Sequence, residues 1–424
     1  MWIKQPCAVY ANPSSLSHTS GLPEKDIMAA DPSDNKFGVH RDVLKLGVVS
    51  FLTDLSSEMI FSVFAVFFTT IAGASAALLG VVEGLADLSA SSLNYLSGWL
   101  CDRSGKRKAF ALAGYGFSTL AKVILLVSSS VAALGVFRVV ERLGKSFRGP
   151  PRDAWLAAVA DQSTRGYSFG VHKALDKAGA VFGPLLAYGL LSALGEGTAT
   201  YQTLFWVALI PAVASVAVLS RVQEQPGVAH ERESLFENWQ TLSPDFKRYL
   251  LTAGIFSLAY FSFGFLLLRA HTVGFSVKDI VLLYALFNIA CVIAAPLIGK
   301  LGDRVGRPRM IVLGYGLYLL MSLGFAFAST PWQVVVLFVL HGVFYAIDEA
   351  QSKAFISDLE LRRRASAIGL YNFVCGLIYL PASLLAGALW LLHPASAFLL
   401  AALLTAAAMI VFVSSGLNRT RGTH

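Results

Sequence analysis

From about residue 42 onward, apolar stretches of roughly 20–28 residues follow one another, separated by short polar turns, and each is long enough to span a bilayer with some tilt. The pattern predicts helical spans near 43–72, 76–100, 109–128, 131–158, 166–194 and 201–220. After a polar interruption it predicts six more, near 247–270, 278–299, 309–328, 333–357, 365–391 and 396–416. The chain therefore divides into a polar tail (1–41), a first six-helix bundle (42–221), a linker (222–246), a second six-helix bundle (247–416) and a short tail (417–424).

A phrase repeated about two hundred residues apart supports the division into halves. Gly98-Trp-Leu-Cys-Asp102-Arg103-Ser-Gly105-Lys106 returns as Gly299-Lys-Leu-Gly-Asp303-Arg304-Val-Gly306-Arg307, each copy where an apolar run meets a cationic loop. Ala160-Asp161-Gln-Ser-Thr-Arg165 is echoed by Ser357-Asp358-Leu-Glu-Leu-Arg362, and Ser168-Phe169-Gly170 by Ala367-Ile368-Gly369. Internal repeats in so apolar a chain mark two related membrane-embedded halves. The fold class expected is an all-α membrane protein, twelve transmembrane helices in two pseudo-symmetric six-helix bundles.

Composition agrees: 55% of the 424 residues are hydrophobic and 14% charged, against roughly a quarter charged in soluble domains. The net charge of +8 does not point to nucleic acid, because the basic residues cluster in short loops between apolar runs. One set of loops holds Arg103, Lys106, Arg107, Lys108, Arg165, Arg221, Arg304, Arg307, Arg309 and Arg362 to Arg364. The opposite set, around Gly73, Ser129, Gly195, Thr330 and Pro394, holds almost none. Positive loops face the cytoplasm, so both termini are expected there, in a bacterial cytoplasmic (inner) membrane. The N-terminus lacks the apolar core of a secretory signal. Four scattered cysteines show no metal or disulfide spacing, no H-x-x-H or H-E-x-x-H motif occurs, and no phosphate-binding G-x-x-x-x-G-K-[ST] phrase occurs. No cofactor, metal or direct ATP drive is expected.

Ionisable residues inside spans are costly in lipid and face protein or a watery cavity. Asp54 and Glu58 lie four apart on span one, and Glu83 and Asp87 four apart on span two. Span four carries Arg138, Glu141, Arg142 and Lys145 on one face; span five carries His172 and Asp176, continued by Gly179, Gly183 and Pro184. In the second half, His341, Tyr345, Asp348 and Ser352 share a face of span ten, flanked by Glu349 and Lys353. Two readings stay open: the acids neutralise the bases and lock the first bundle, or some of them line a pathway and carry a proton as the cavity alternates. The second assigns proton coupling and substrate contact to this set, above all to Asp54, Glu58, Arg138, Arg142 and Asp176. Gly179 to Pro184 predicts a tight helix contact with a proline kink. Arg269 is expected to snorkel to the interface, and Tyr260, Asn288 and Asn372 to form interhelical or substrate hydrogen bonds.

In the repeated phrase, Gly98 and Gly299 are read as sites of close helix approach, and Asp102 and Asp303 as partners for a neighbouring helix terminus. Arg103 and Arg304 would pair with carboxylates, with Asp161 and Asp358 as the natural partners. Twelve spans with G-x-x-x-D-R-x-G-[KR] between the second and third span of each half resemble the major facilitator superfamily over about residues 42–416. The resemblance implies alternating access and a gating latch built from Gly98, Asp102, Arg103, Gly105 and Asp161 and from Gly299, Asp303, Arg304, Gly306 and Asp358. It also implies a monomer whose partners are a small molecule, protons and the lipid bilayer. Arg138 and Glu141 resemble the superfamily's fourth-span motif, with Arg142 where glycine is usual. Gly179-Ala-Val-Phe-Gly183-Pro184 looks like the antiporter signature of drug exporters, with Ala187 and Tyr188 in place of a glycine pair. RGPPRDAWLA (148–157), FGVHKALDKAGAVFGP (169–184), LLLRAHTVGFS (266–276) and YNFVCGLIYLPASLLAG (371–387) resemble a bacterial branch of poorly characterised permeases near the iron-associated magnetosome permeases.

The expected function is proton-coupled transport of a small polar solute, anionic or chelate-like because of the cationic face of span four. The alternatives are a drug/proton antiporter of the same fold and, more remotely, a membrane-embedded enzyme using Glu83 and Asp87 to hold Mg²⁺ against a lipid diphosphate.

Overall fold

Lipid offers backbone groups no hydrogen-bond partners, so each apolar run closes its own hydrogen bonds as a helix. The computed structural model describes residues 35–36, 39–159, 165–223, 242–360 and 364–417. The first half comprises α1 (Arg41–Val66, extended by a π-helical turn at Phe67–Ile71), α2 (Ala76–Ser104), α3 (Arg107–Val127), α4 (Val131–Val159), α5 (Arg165–Leu194) and α6 (Thr198–Ser220). The second comprises α7 (Pro244–Ala259), α8 (Gly264–Val273), α9 (Val277–Val305), α10 (Arg307–Phe327), α11 (Pro331–Leu359), α12 (Arg364–Leu392) and α13 (Pro394–Ser414). α7 and α8 together form one span. By length and composition, eleven spans among the described residues are apolar enough to cross a membrane; α4, rich in Arg and Lys, is the twelfth.

The packing repeats between halves. In the first, α1 packs on α5 and α6, α4 on α2 and α3, and α3 on α6. In the second, the span α7–α8 packs on α12 and α13, α11 on α9 and α10, and α10 on α13. Two symmetric seams join the bundles, α2 on α12 and α5 on α9. Small residues bring the first seam together: a Cβ at Gly387 would lie 2.9 Å from Ala77 Cα, and one at Gly84 3.1 Å from Leu380 Cα.

Three details depart from the expected spans. The stretch read as an N-terminal tail ends in an antiparallel pair, Asn35–Lys36 with Val39–His40, and Val39 is buried against α1 and α4 side chains. Span seven is interrupted at Tyr260–Phe263. Hydroxyls meet the freed backbone there: Tyr318 donates to the Ala259 carbonyl at 3.0 Å, and Ser262 Oγ accepts from the Gly264 N–H at 3.2 Å. α1 ends in the π turn, where Thr69 and Thr70 donate to the Ala65 and Val66 carbonyls at 2.9 and 2.6 Å. The 1–34 part of the tail, most of the linker and residues 418–424 lie outside the described residues.

Candidate functional site

α4 places a basic residue on one face at every third or fourth position, and α1, α2 and α5 supply acids to meet them, with Glu141 of α4 itself. Nearest the side of the few-charge loops, Arg138 makes a bidentate pair with Glu83 of α2, Nε and Nη2 donating to the two carboxylate oxygens at 2.7 and 2.8 Å. Both side chains are buried, 7% and 2% exposed, and Arg138 also approaches Glu141 at 3.6 Å and the Phe61 ring centroid at 4.5 Å. One turn on, Arg142 donates to Asp87 at 2.9 Å. Lys145 lies 3.4 Å from Glu58 and 3.6 Å from Asp54, both on α1. Arg148 follows, 3.8 Å from Asp54, donating to Ser118 Oγ at 2.7 Å and lying 4.7 Å above the Tyr115 ring. Arg152 completes the series, 3.7 Å from Asp176 of α5. From Arg138 to Arg152 the ladder rises about 21 Å along the helix, most of a hydrocarbon core about 30 Å thick.

The ladder brings Asp54, Glu58, Glu83, Asp87, Arg138, Glu141, Arg142, Lys145 and Asp176 into one network. His172 joins at its edge, 2.9 Å from Ser50 Oγ, which also accepts from Arg152 at 3.2 Å. Arg142 and Lys145 each keep 35% of the side chain exposed despite their mid-span position, whereas Arg138 and Arg148 are packed away. Cations have no reason to face lipid, so this exposure marks polar space between the bundles.

Carboxylates of the ladder also reach the second half. Tyr284 of α9 donates to Glu58 Oε2 at 2.5 Å, and Ser262, in the break of span seven, donates to Glu83 Oε2 at 3.1 Å. Lys173 approaches Glu349 at 4.0 Å, and Lys177 lies 5.5 Å from the Tyr345 ring centroid. Toward the few-charge loops the bundles meet where Glu196 accepts from the Lys278 N–H at 3.0 Å and where a Cβ on Gly264 would lie 3.3 Å from Ala65 Cβ.

The second half itself is aromatic. His341 is ringed by Phe263, Phe287 and Phe344 at centroid distances of 5.3, 5.3 and 5.7 Å. Asp348 accepts from Ser352 Oγ at 3.1 Å, so neither His341 nor Asp348 belongs to the ladder. Asn288 donates to the Tyr284 carbonyl at 3.1 Å. Arg269 caps the end of α10 by donating to the Phe325, Ala326 and Ala328 carbonyls at 2.9, 3.2 and 2.9 Å.

At the repeated loop phrase, Gly105 and Gly306 adopt φ of 68° and 94°, and their N–H groups donate to the Cys101 and Gly302 carbonyls at 2.8 and 3.0 Å. A left-handed residue lets the chain leave one span and enter the next within two residues, which explains the glycine at this place in both copies. Asp358 pairs with Arg307, the last residue of the phrase, at 2.5 Å rather than with Arg304, and Arg307 also donates to the Ala354 carbonyl at 2.7 Å. Among the described residues the close approach expected at Gly299 is not seen, since an added Cβ would have no neighbour within 4 Å; the tight contact in that stretch is between Gly302 and the Gln351 side chain. Asp161 and the side chains of Asp102 and Asp303 lie outside the described residues. On α5, a Cβ at Gly183 would lie 2.7 Å from the Leu55 carbonyl, and one at Gly179 would strike the Phe51 carbonyl.

The pattern of spans did not lead to Lys122, Arg148, Arg152, Ser262 or Tyr284. Lys122 is fully buried on α3, donating to Ser57 Oγ at 3.2 Å and the Ser118 carbonyl at 3.4 Å. Arg148 and Arg152 had a legible signal, because they continue the spacing of Arg138, Arg142 and Lys145. Glu83 and Asp87 are each occupied by an arginine, so they are not a free acidic pair awaiting Mg²⁺. Among the described residues no group of three metal-ligating side chains occurs.

A family model described as Major Facilitator Superfamily matches residues 46–269 and 249–422. An uncharacterised MFS-type transporter of Methanocaldococcus jannaschii is 33% identical over 374 residues, covering 87% of this chain and 93% of that protein. The multidrug resistance protein MdtG of Escherichia fergusonii is 23% identical over 330 residues, covering 74% and 79%. Among solved structures, the nucleoside transporter NupG superposes with a TM-score of 0.69 at 14% identity, covering 89% of this chain and 98% of that one.

Proposed function

The chain belongs to the major facilitator superfamily, and from that membership we propose that it moves a small polar anion, or an anionic chelate, across the bacterial cytoplasmic membrane by proton-coupled alternating access. Membership makes it a small-molecule transporter and not an enzyme. The observation that carries the proposal is the pair Arg142 and Lys145, cations at mid-span that remain 35% exposed among buried ion pairs. An anion entering between the bundles meets these two first. Asp87, Glu58 and Asp54 are their resident counter-ions, so a solute anion competes with them, and a proton taken up by one carboxylate frees its cation. Asp54 and Asp176 stand at rungs where one acid is shared between bases, which suits them to pass a proton on.

The cationic loops and both termini would then face the cytoplasm. The bundles meet at Glu196 with Lys278 and at Gly264 with Ala65, so the polar space would open toward the cytoplasm, with Arg307–Asp358 among the contacts that rearrange when it closes. A monomer suffices, because both seams lie within one chain. The stretches RGPPRDAWLA and FGVHKALDKAGAVFGP resemble a bacterial permease branch that lies near the magnetosome permeases, which supports a chelate among the candidate anions.

Proteoliposomes with an imposed pH gradient test the proposal. Uptake of anions should follow the gradient and be lost in Asp54→Asn and Asp176→Asn. Transport of neutral lipophilic compounds, indifferent to Arg142→Ala, would replace this reading with drug/proton antiport. The likeness to MdtG and the aromatic second half favour that second reading.

A further inference from the structure

Glu58 sits at the seam with its two oxygens claimed by different halves. Oε1 lies 3.4 Å from Lys145 Nζ, and Oε2 accepts from the Tyr284 hydroxyl at 2.5 Å. A carboxylate is thus already seated between a cation on one wall and a phenol on the other.

Flat rings adjoin that seat. Phe61, one turn from Glu58 on α1, stands edge-on to Tyr284 at 5.4 Å and lies 6.4 Å from Phe263. Phe263 packs 4.7 Å from Phe287, and Tyr345 lies 5.7 Å beyond. His341 is 3% exposed among these rings, and its Nδ1 has no hydrogen-bond partner among the described residues. A buried polar atom without a partner calls for an explanation, and a ligand group that reaches it is one.

The geometry points to a binding site for a planar aromatic carboxylate. Its carboxylate replaces that of Glu58 between Lys145 and Tyr284, and its ring enters among Phe263, Phe287 and Tyr345. His341 Nδ1 meets a polar substituent on the ring. Glu58 is the placeholder that keeps the Tyr284 hydroxyl paired and, together with Asp54, balances Lys145 when no substrate is bound, since an unpaired polar group in the seam is unfavourable. The inference rests on the anion reading above and narrows it, because the cation wall selects charge and the aromatic wall selects shape.

The test is titration of the purified full-length protein with benzoate, cyclohexanecarboxylate and acetate at one pH and ionic strength, read by calorimetry. Benzoate should bind on the order of tenfold more tightly than cyclohexanecarboxylate, which matches it in size but not in flatness, and acetate should bind most weakly. Glu58→Gln should tighten benzoate by removing the competing carboxylate, and Lys145→Gln should abolish binding of all three. Equal affinity for benzoate and cyclohexanecarboxylate overturns the aromatic slot and leaves the anion reading standing. Weaker benzoate binding to Glu58→Gln overturns the placeholder role. Binding of none of the three acids overturns the slot, and a transported anion indifferent to Lys145→Gln overturns the anion reading with it. The wild-type comparison of three acids needs no variant to fold.

Discussion

Replacing Arg138 by methionine removes a buried guanidinium while keeping an unbranched apolar side chain in its place. Two charge-assisted hydrogen bonds to Glu83, at 2.7 and 2.8 Å, disappear. At about 1.5–3 kcal/mol each they sum to roughly 3–6 kcal/mol, in line with the 3–5 kcal/mol typical of breaking one side of a buried pair. Glu83 keeps only the Ser262 hydroxyl at 3.1 Å, so its charge stays buried with one neutral donor. The converse change should be milder. In Glu83→Gln, Arg138 still has Glu141 at 3.6 Å and the Phe61 face at 4.5 Å, and a cation–π contact alone contributes about 0.5–2 kcal/mol. Arg138→Met should therefore destabilise by about 3–5 kcal/mol, and Glu83→Gln by about half as much. The double replacement Arg138→Met with Glu83→Gln should lie closer to wild type than Arg138→Met alone, because no unpaired charge remains. Reversible unfolding in mixed micelles of SDS and a mild detergent measures all of these. Strict additivity in the double-mutant cycle, or a loss below about 1 kcal/mol for Arg138→Met, would refute the claim that this rung is held by mutual neutralisation.

Helix contact gives a second test: Gly183→Ala should destabilise by about 1–3 kcal/mol, since the new methyl meets the Leu55 carbonyl, while Gly189→Ala, facing open space, should be neutral or stabilising by about 1 kcal/mol. Thermal melts of the two variants side by side read the contrast. In a background lacking the native cysteines, Ala65→Cys with Gly264→Cys, whose Cβ atoms would lie 3.3 Å apart, should cross-link the two bundles and stop transport until a reductant is added; unimpaired transport by the cross-linked protein would deny that this contact opens. Asp358→Asn removes an ion pair whose side chains are 54% and 30% exposed, so stability should change by less than about 1 kcal/mol, whereas the transport rate should change several-fold if the pair is a latch. Counterflow in proteoliposomes separates the two effects.

The chain by itself determined the number, length and order of the spans, the division into halves and the side on which the cations gather. Lipid imposes these through local rules: an apolar run long enough must be a helix, and a basic loop stays on one side. Gly105 and Gly306 belong to the same class, because both take a positive φ where one span passes into the next within two residues, a conformation glycine adopts without strain. The cationic face of α4 was legible for the same reason, since it follows from helical period alone. Which acid meets which base was decided only in three dimensions. Glu83 reaching Arg138, Asp54 shared by Lys145 and Arg148, and Asp176 meeting Arg152 all depend on how α1, α2 and α5 are arranged around α4. The break at Tyr260–Phe263 carries no proline and is followed by Gly264; it is sustained by Tyr318 from another helix and by Ser262. Glu58 and Tyr284 are 226 positions apart, and no periodicity relates them. Span pattern is a property of each helix against its solvent, whereas the pairing of charges and rings belongs to the contacts between helices, which only the folded bundle supplies.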